Sequence, residues 1–232
     1  MISLVVPTYN ERPNIEQLVE RTGKTLAAAN EPFELIIVDD NSPDGTAGEV
    51  CRLQADRPWL KLLVREDERD LSTAVLAGWK MARGEILGVM DGDLQHPPEI
   101  LLKLLAPIRD ASGEIAVASR YVARGGVSDW KFRRKIISWT ATLLAAVLLP
   151  AKIRRVKDPM SGFFLLRRSV VEGRALKPLG YKILLEVLAR GNYAKAAEVP
   201  YTFEERARGG SKMGLVQVWR YLVHLMRIRF TF

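Results

Sequence analysis

The first half of this chain alternates short apolar runs with helix-length amphipathic segments, and that alternation leaves few folds open. Strands are expected at Ile2–Val6, Phe33–Val38, Leu60–Val64, Ile86–Met90 and Ile115–Ala118. Helices are expected near Asn14–Ala29, Thr46–Ala55, Ser72–Ala82 and Pro98–Arg109. Apolar runs interleaved with helices read as a βαβ series, an α/β fold with a mostly parallel sheet and helices on both faces. In such sheets ligands bind beyond the carboxyl ends of the strands. Three of those ends carry polar loops: Pro7-Thr8-Tyr9-Asn10-Glu11, Asp39-Asp40-Asn41-Ser42-Pro43-Asp44-Gly45 and Asp91-Gly92-Asp93-Leu94-Gln95-His96. Three polar loops on one edge of one sheet mark a site.

The 232 residues fit a single domain, residues 1–232, with enough length for a substantial core. A lone cysteine, Cys51, cannot form an internal disulfide and suits a reducing compartment. Met1 leads directly into a strand-like run, without the basic segment that opens a signal peptide. The net charge of +8 is uneven: between Arg120 and Arg168 stand twelve Lys or Arg and only two acids, Asp129 and Asp158. Such a block suits nucleic acid, anionic lipid or a phosphorylated ligand, and also a plain solvated surface.

Within this basic half, Ile136–Leu149 is an apolar run preceded by Lys131, Arg133, Arg134 and Lys135. It falls short of the ~20 residues that span a bilayer. Near the end, Gln217, Arg220, His224 and Arg227 recur at helical spacing, predicting a polar stripe opposite Leu222, Leu225 and Met226. Each segment alone reads equally as a surface helix packed on the core. Together, beside the basic cluster, 133–150 and 213–232 are expected to be helices lying in a membrane interface.

Asp91 and Asp93 sit one residue apart where a buried strand ends. Leaving the pleat there lets both carboxylates converge on one hard divalent cation, Mg²⁺ or Mn²⁺, whose remaining ligands come from phosphate and water. Gln95 adds a neutral oxygen, and Gly92 permits close backbone approach. A cation there would offset the charge growing on a departing diphosphate. The competing reading makes Asp93 a cap for the helix near Pro97-Pro98.

With these loops in place, the chain resembles the dolichol-phosphate mannosyltransferase branch of the inverting glycosyltransferases with a GT-A fold, a Rossmann-like nucleotide-diphospho-sugar transferase architecture. The resemblance covers almost the whole chain. It rests on Val6-Pro7-Thr8-Tyr9-Asn10-Glu11, Val38-Asp39-Asp40-Asn41-Ser42-Pro43-Asp44-Gly45-Thr46 and, most specifically, Asp91-Gly92-Asp93-Leu94-Gln95-His96-Pro97-Pro98-Glu99. Ser119-Arg120-Tyr121, Arg134-Lys135-Ile136-Ile137-Ser138, Asp158-Pro159-Met160-Ser161-Gly162-Phe163 and Phe203-x-x-Arg206-x-x-Gly209-x-Ser211-Lys212 follow in the family's order.

The resemblance implies that Pro7, Tyr9, Glu11, Val38 and Asp39 hold the nucleoside of a nucleotide-sugar donor. It gives the metal to Asp91, Asp93 and Gln95, and the acceptor phosphate to Arg120, Arg134 and Ser138. Arg206 and Lys212 are expected to meet the donor phosphates, with Asp93, Arg120, Arg134 and Arg206 as the catalytic set. The implied reaction moves mannose from GDP-mannose to a polyprenyl phosphate, at the cytoplasmic face of a membrane, on a peripheral or monotopic enzyme. A phosphate acceptor, whose second ionisation lies near pH 6, needs no general base. Arg208-Gly209-Gly210-Ser211 reads as a lid over the diphosphate or as a plain turn.

Two departures stand out. Asp70 occupies the place of a usual glycine before Leu71-Ser72, and the chain ends at Phe232 where many relatives continue into transmembrane helices. The latter fits a short form with surface attachment, a missing transmembrane region or an anchoring partner. Other readings keep the lipid acceptor with UDP-glucose or another UDP-sugar as donor, or make the chain a processive polysaccharide synthase. Gln217-Val218-Trp219-Arg220-Tyr221 resembles the Gln-x-x-Arg-Trp motif of those synthases. A nucleic-acid-binding module would use Trp130, Trp139 and Trp219 to stack bases. No recognition motif supports it, and no nucleic-acid partner is expected.

Overall fold

The structure is a computed structural model that describes residues 1–127, 153–204 and 215–230. Its centre is a seven-stranded sheet ordered β3-β2-β1-β4-β7-β5-β8. The strands are β1 (Ile2–Thr8), β2 (Phe33–Asp39), β3 (Leu60–Val64), β4 (Ile86–Val89), β5 (Ile115–Ser119), β7 (Phe164–Arg167) and β8 (Ala196–Pro200). A separate two-stranded pairing joins β6 (Gly126–Val127) to β9 (Thr202–Phe203). All partners in the main sheet run parallel except β7, which runs against both β4 and β5. The expected mostly parallel α/β sheet is therefore present.

The alternation along β1 shows how both faces become covered. Val5 joins one core with Ile36, Val38, Leu87, Val89, Phe164 and Leu166. Its neighbours Leu4 and Val6 join the opposite core with Leu35, Ile37 and Met90. Helices α1 (Arg12–Ala27), α2 (Thr46–Gln54) and α4 (Ile100–Arg109) supply residues to the second core, including Ile15, Leu18, Val50 and Leu101. Helix α3 (Leu71–Met81) with α5 (Ile183–Arg190) and α6 (Leu215–Phe230) supplies the first. Gly78 lets α3 press onto the sheet: a Cβ there would lie 2.6 Å from Val5 Cγ1.

Helix α1 starts two residues earlier than the apolar pattern indicates, because Pro13 suits the first turn, where its missing N–H leaves no bond unmade. The terminal helix shows the largest departure. His224 is not on a solvated stripe; it is fully buried together with Leu225 and Ile228. The cause lies on α5, where Glu186 is also buried and accepts from His224 Nε2 at 3.0 Å, from Arg190 Nε at 2.7 Å and from Lys177 N at 2.7 Å. A buried carboxylate needs such partners, and the pairing fixes the rotation of α6. Met226 turns outward with Trp219 and Phe230, the last two being 67% and 73% exposed. Among the described residues no helix is long and apolar enough to cross a membrane. The expected segment 133–150 lies outside the described residues.

Because β7 alone is reversed, the carboxyl ends of β1, β2, β3, β4, β5 and β8 share one edge with the entry to β7. Residues 9–11, 40–45, 65–70, 90–96, 120, 158–163 and 201–204 gather there.

Candidate active site

The first two loops are laced by short polar side chains. Asn10 N donates to Ser42 Oγ at 2.8 Å, Glu11 N to Thr46 Oγ1 at 3.1 Å, and Arg12 N to Asp44 Oδ2 at 3.1 Å. Asp39 anchors the turn beneath them: its carboxylate accepts from Thr8 Oγ1 at 3.0 Å, Ser42 Oγ at 2.6 Å and Ser42 N at 2.8 Å. Asn10 and Asn41 both take the left-handed backbone that asparagine tolerates. Burial alone would raise the Asp44 carboxyl, but bonds from the Thr46 hydroxyl and the Arg12 and Thr46 amides outweigh it and hold its pKa low.

Next to this pair, Asp40 accepts from Arg65 Nε at 2.7 Å and from Asp70 N at 3.0 Å. Burial leaves its carboxyl above the ordinary range despite the Arg65 charge. Asp70 caps α3 through Ser72 N at 3.0 Å and Thr73 N at 3.3 Å. Its other oxygen accepts from Gly180 N at 2.8 Å and faces Arg220 Nη1 of α6 at 3.5 Å. Asp70 thus joins the loops after β2 and β3 to the terminal helix. The Arg69 guanidinium stacks 4.0 Å over the ring of Tyr9, which is half-buried at the mouth of the first loop.

The acidic loop follows β4. Leu94 buries its side chain in the core at φ +61°, a strained setting for a leucine. Asp93 Oδ1 accepts from Gln95 N at 3.1 Å, a local turn rather than a cap for α4, which begins at Ile100. Gln95 Nε2 donates to Glu204 O at 3.0 Å, so the amide oxygen is the end left for a cation. His96 Nε2 lies 3.2 Å from Asp91 Oδ2, and the Asp91 side chain is 33% exposed. A Cβ at Gly162 would come within 2.6 Å of that same oxygen.

Among the described residues no three His, Cys, Asp or Glu side chains form a ready-made metal cage. The donor set here is two carboxylates and an amide. That composition fits Mg²⁺ or Mn²⁺, which complete their shells with substrate phosphate and water.

On the far side, Arg120 is held by Asp158 through Nε at 2.8 Å and Nη2 at 2.7 Å, with the Arg120 amide on the same carboxylate at 3.0 Å. Asp158 is fully buried and the Arg120 side chain is 9% exposed. Burial would lower the pKa of the guanidinium, but the Asp158 bonds and charge raise it.

Pro7, Tyr9, Glu11, Val38, Asp39, Asp91, Asp93, Gln95 and Arg120 all belong to this edge. Val38 and Asp39 have no exposed surface in this structure, which makes them the floor beneath the loop 40–45. Arg134, Ser138, Arg206 and Lys212 lie outside the described residues, as does the glycine-containing stretch 208–211. Asp158, Gly162, Arg65 and Glu204 were not assigned roles by sequence reasoning. Asp158 left two signals: a rare acid within a basic block, and the first position of the Asp158–Phe163 motif.

The model for "Glycosyl transferase family 2" matches residues 3–174. The chain is 39% identical to a dolichol-phosphate mannosyltransferase of Saccharomyces cerevisiae over 97% of its own length and 86% of the yeast protein. It belongs to glycosyl transferase family 2, in the dolichol-phosphate mannosyltransferase branch. A family 2 relative with that name from Pyrococcus furiosus is 47% identical, over 98% of this chain and 63% of that protein. A polyprenol monophosphomannose synthase of Mycolicibacterium smegmatis is 36% identical over 90% of this chain and 80% of its own. In fold, this glycosyltransferase is similar to mannosyl-3-phosphoglycerate synthase from Rubrobacter xylanophilus, with a TM-score of 0.71 at 17% identity over 98% of this chain and 72% of that one. The glucosyl-3-phosphoglycerate synthase of Mycobacterium tuberculosis, crystallised with Mn²⁺, UDP-glucose and phosphoglyceric acid, reaches 0.69 at 17% identity, over 100% and 79%.

Proposed function

We propose that this family 2 enzyme transfers mannose from GDP-mannose to the phosphate of a polyprenyl phosphate, with inversion, at the cytoplasmic face of a membrane. The observation that carries the reading is the acidic loop 91–95, set between the laced donor loops and the buried Arg120–Asp158 pair on one sheet edge. The names of the relatives support the acceptor and the sugar.

In this reading Tyr9, Glu11 and Pro7 receive the nucleoside over the Asp39 floor. Asp91, Asp93 and Gln95 hold a divalent cation, which would stabilise the departing diphosphate. An oxygen of the acceptor phosphate attacks the anomeric carbon as the bond to the GDP oxygen breaks, a single displacement. Arg120, aimed by Asp158, positions the phosphate together with Arg134 and Ser138, and guanidinium suits that task because it is permanently charged and grips oxygens in pairs. Arg206 and Lys212 supply further positive charge to the leaving diphosphate. The chain acts as one catalytic domain that meets the membrane surface through segments 133–150 and 213–232.

Support for membrane contact comes from α6. Trp219, Val223, Met226 and Phe230 recur at helical spacing on its outer face, and Arg227 and Arg229 flank them. An apolar stripe bordered by arginine suits an interface with anionic lipid.

The test is incubation with Mn²⁺, a short polyprenyl phosphate and either GDP-mannose or UDP-glucose, with the lipid product weighed by mass spectrometry. A mannosyl phospholipid from GDP-mannose is expected; turnover of UDP-glucose alone would overturn the donor assignment. Arg134→Ala is expected to weaken use of the acceptor more than binding of GDP.

A further inference from the structure

The buried surroundings of His96 differ from those of an ordinary packed histidine. Its ring is caged by Phe163, Tyr201 and Phe203, with centroids 5.4, 5.5 and 5.1 Å away. Its residue surface is 2% exposed. Nδ1 sits inside that cage without a hydrogen-bond partner among the described residues, a penalty that a phenylalanine or leucine in the same place would avoid. The other nitrogen leaves the cage, where Nε2 meets Asp91 Oδ2 at 3.2 Å. The carboxylate selects the tautomer with its proton on Nε2.

Asp91 is confined from a second side. Any side chain at 162 would collide with its Oδ2, so the glycine is what lets the backbone of 162 lie against the carboxylate. Phe163, the next residue, is part of the cage around His96. The wall that holds the imidazole and the wall that confines the carboxylate are therefore one segment. Tyr201 and Phe203 belong to a second segment that is itself tied to the acidic loop. Glu204 N donates to Gln95 O at 3.0 Å, and Gln95 Nε2 donates to Glu204 O at 3.0 Å.

We infer that His96 is a positioning residue for the metal site: its caged ring donates to Asp91 and fixes the direction of that carboxylate, so the ligand is set before a cation arrives. This rests on the metal assignment to Asp91, Asp93 and Gln95 made above. Outer hydrogen-bond partners of this kind orient metal ligands, and their loss lowers metal affinity by about 10–100-fold. The aromatic cage supplies the stiffness, because rings packed on three sides deny the imidazole another rotamer.

The test measures Mn²⁺ affinity in the presence of GDP, and in parallel UDP, by the loss of the free Mn²⁺ electron paramagnetic resonance signal. His96→Phe keeps the aromatic packing and removes the donor; Mn²⁺ affinity is expected to fall about 10–100-fold with the melting temperature retained. His96→Gln places an amide N–H near the same position and is expected to restore most of that loss. Gly162→Ala pushes on the same carboxylate without touching the ring. It is expected to weaken Mn²⁺ binding as well, which keeps the claim testable if His96→Phe does not fold. Wild-type Mn²⁺ affinity in folded His96→Phe, or equal losses in the Phe and Gln variants, would overturn the role of the hydrogen bond. Asp93→Ala is the separate control: if it binds Mn²⁺ as tightly as wild type, the metal assignment itself fails, whatever His96 does.

Discussion

The two ends of this site, proposed above to take the donor and the acceptor, are built by different means. Around Tyr9, Glu11 and Asp39 the loops are held by short side chains bonded to nearby amides and hydroxyls, many within a few residues. Around Arg120 the frame is a buried charge pair and a ring drawn from distant parts of the chain: Arg120 with Asp158, beside the ring of Phe203. The first kind of frame spreads its support over many weak bonds. The second concentrates it in one pair whose loss strands a buried charge.

Breaking Asp158 should therefore have the largest effect on folding. Asp158→Ala removes the carboxylate that pairs with the buried Arg120 guanidinium, and is expected to cost about 3–5 kcal/mol in urea unfolding. A change below about 1 kcal/mol would mean that the two sides are not framed so differently. On the donor side, Asp70→Ala removes a cap and the Gly180 contact, with an expected loss of about 1–2 kcal/mol. GDP binding should be little changed, because Asp70 braces the loops from behind.

The Glu186–His224 pair sharpens the contrast through pH. Burial would raise the Glu186 carboxyl, but the bonds from His224 and the Lys177 amide, with the Arg190 charge, bring it below its ordinary 4.5. The unfolded chain then takes up this proton first as pH drops. The stability from Glu186 is full above about pH 4.5 and is lost as pH falls from there through the lower folded value. Unfolding across pH 3–6 in wild type and Glu186→Gln checks this, and the variant should lack that part of the acid slope. The smallest change in folding belongs to the outer face of α6. Trp219→Ser and Phe230→Ser should shift stability by less than about 0.5 kcal/mol while reducing retention on anionic vesicles.

The same contrast explains what could be read from the sequence. The strands Ile2–Thr8 and Phe33–Asp39 announce themselves as mainly apolar runs, interrupted only by Ser3 and Glu34 before their polar last residues, and the loops after them carry their own Asp, Asn and Ser turn-formers. The family motifs therefore placed the donor loops and the acidic loop on one edge. Strands β7 and β8 left weaker marks: β7 is four residues long, and β8, Ala196–Pro200, has neither apolar continuity nor clear alternation. His224 was read as solvent-facing because helical periodicity counts it as polar; its burial is decided by Glu186, 38 residues away. Asp70 stands out in the sequence only as a departure from the family's usual glycine, since its contact to Gly180 exists only once α3 and the 180 turn meet.

The metal assignment is most directly tested by a crystal structure with Mn²⁺ and GDP bound. The ion should lie about 2.0–2.2 Å from carboxylate oxygens of the 91–95 loop, with the diphosphate completing its shell and the base near Tyr9. An ion and diphosphate seated away from Asp91 and Asp93 would contradict the account at its root.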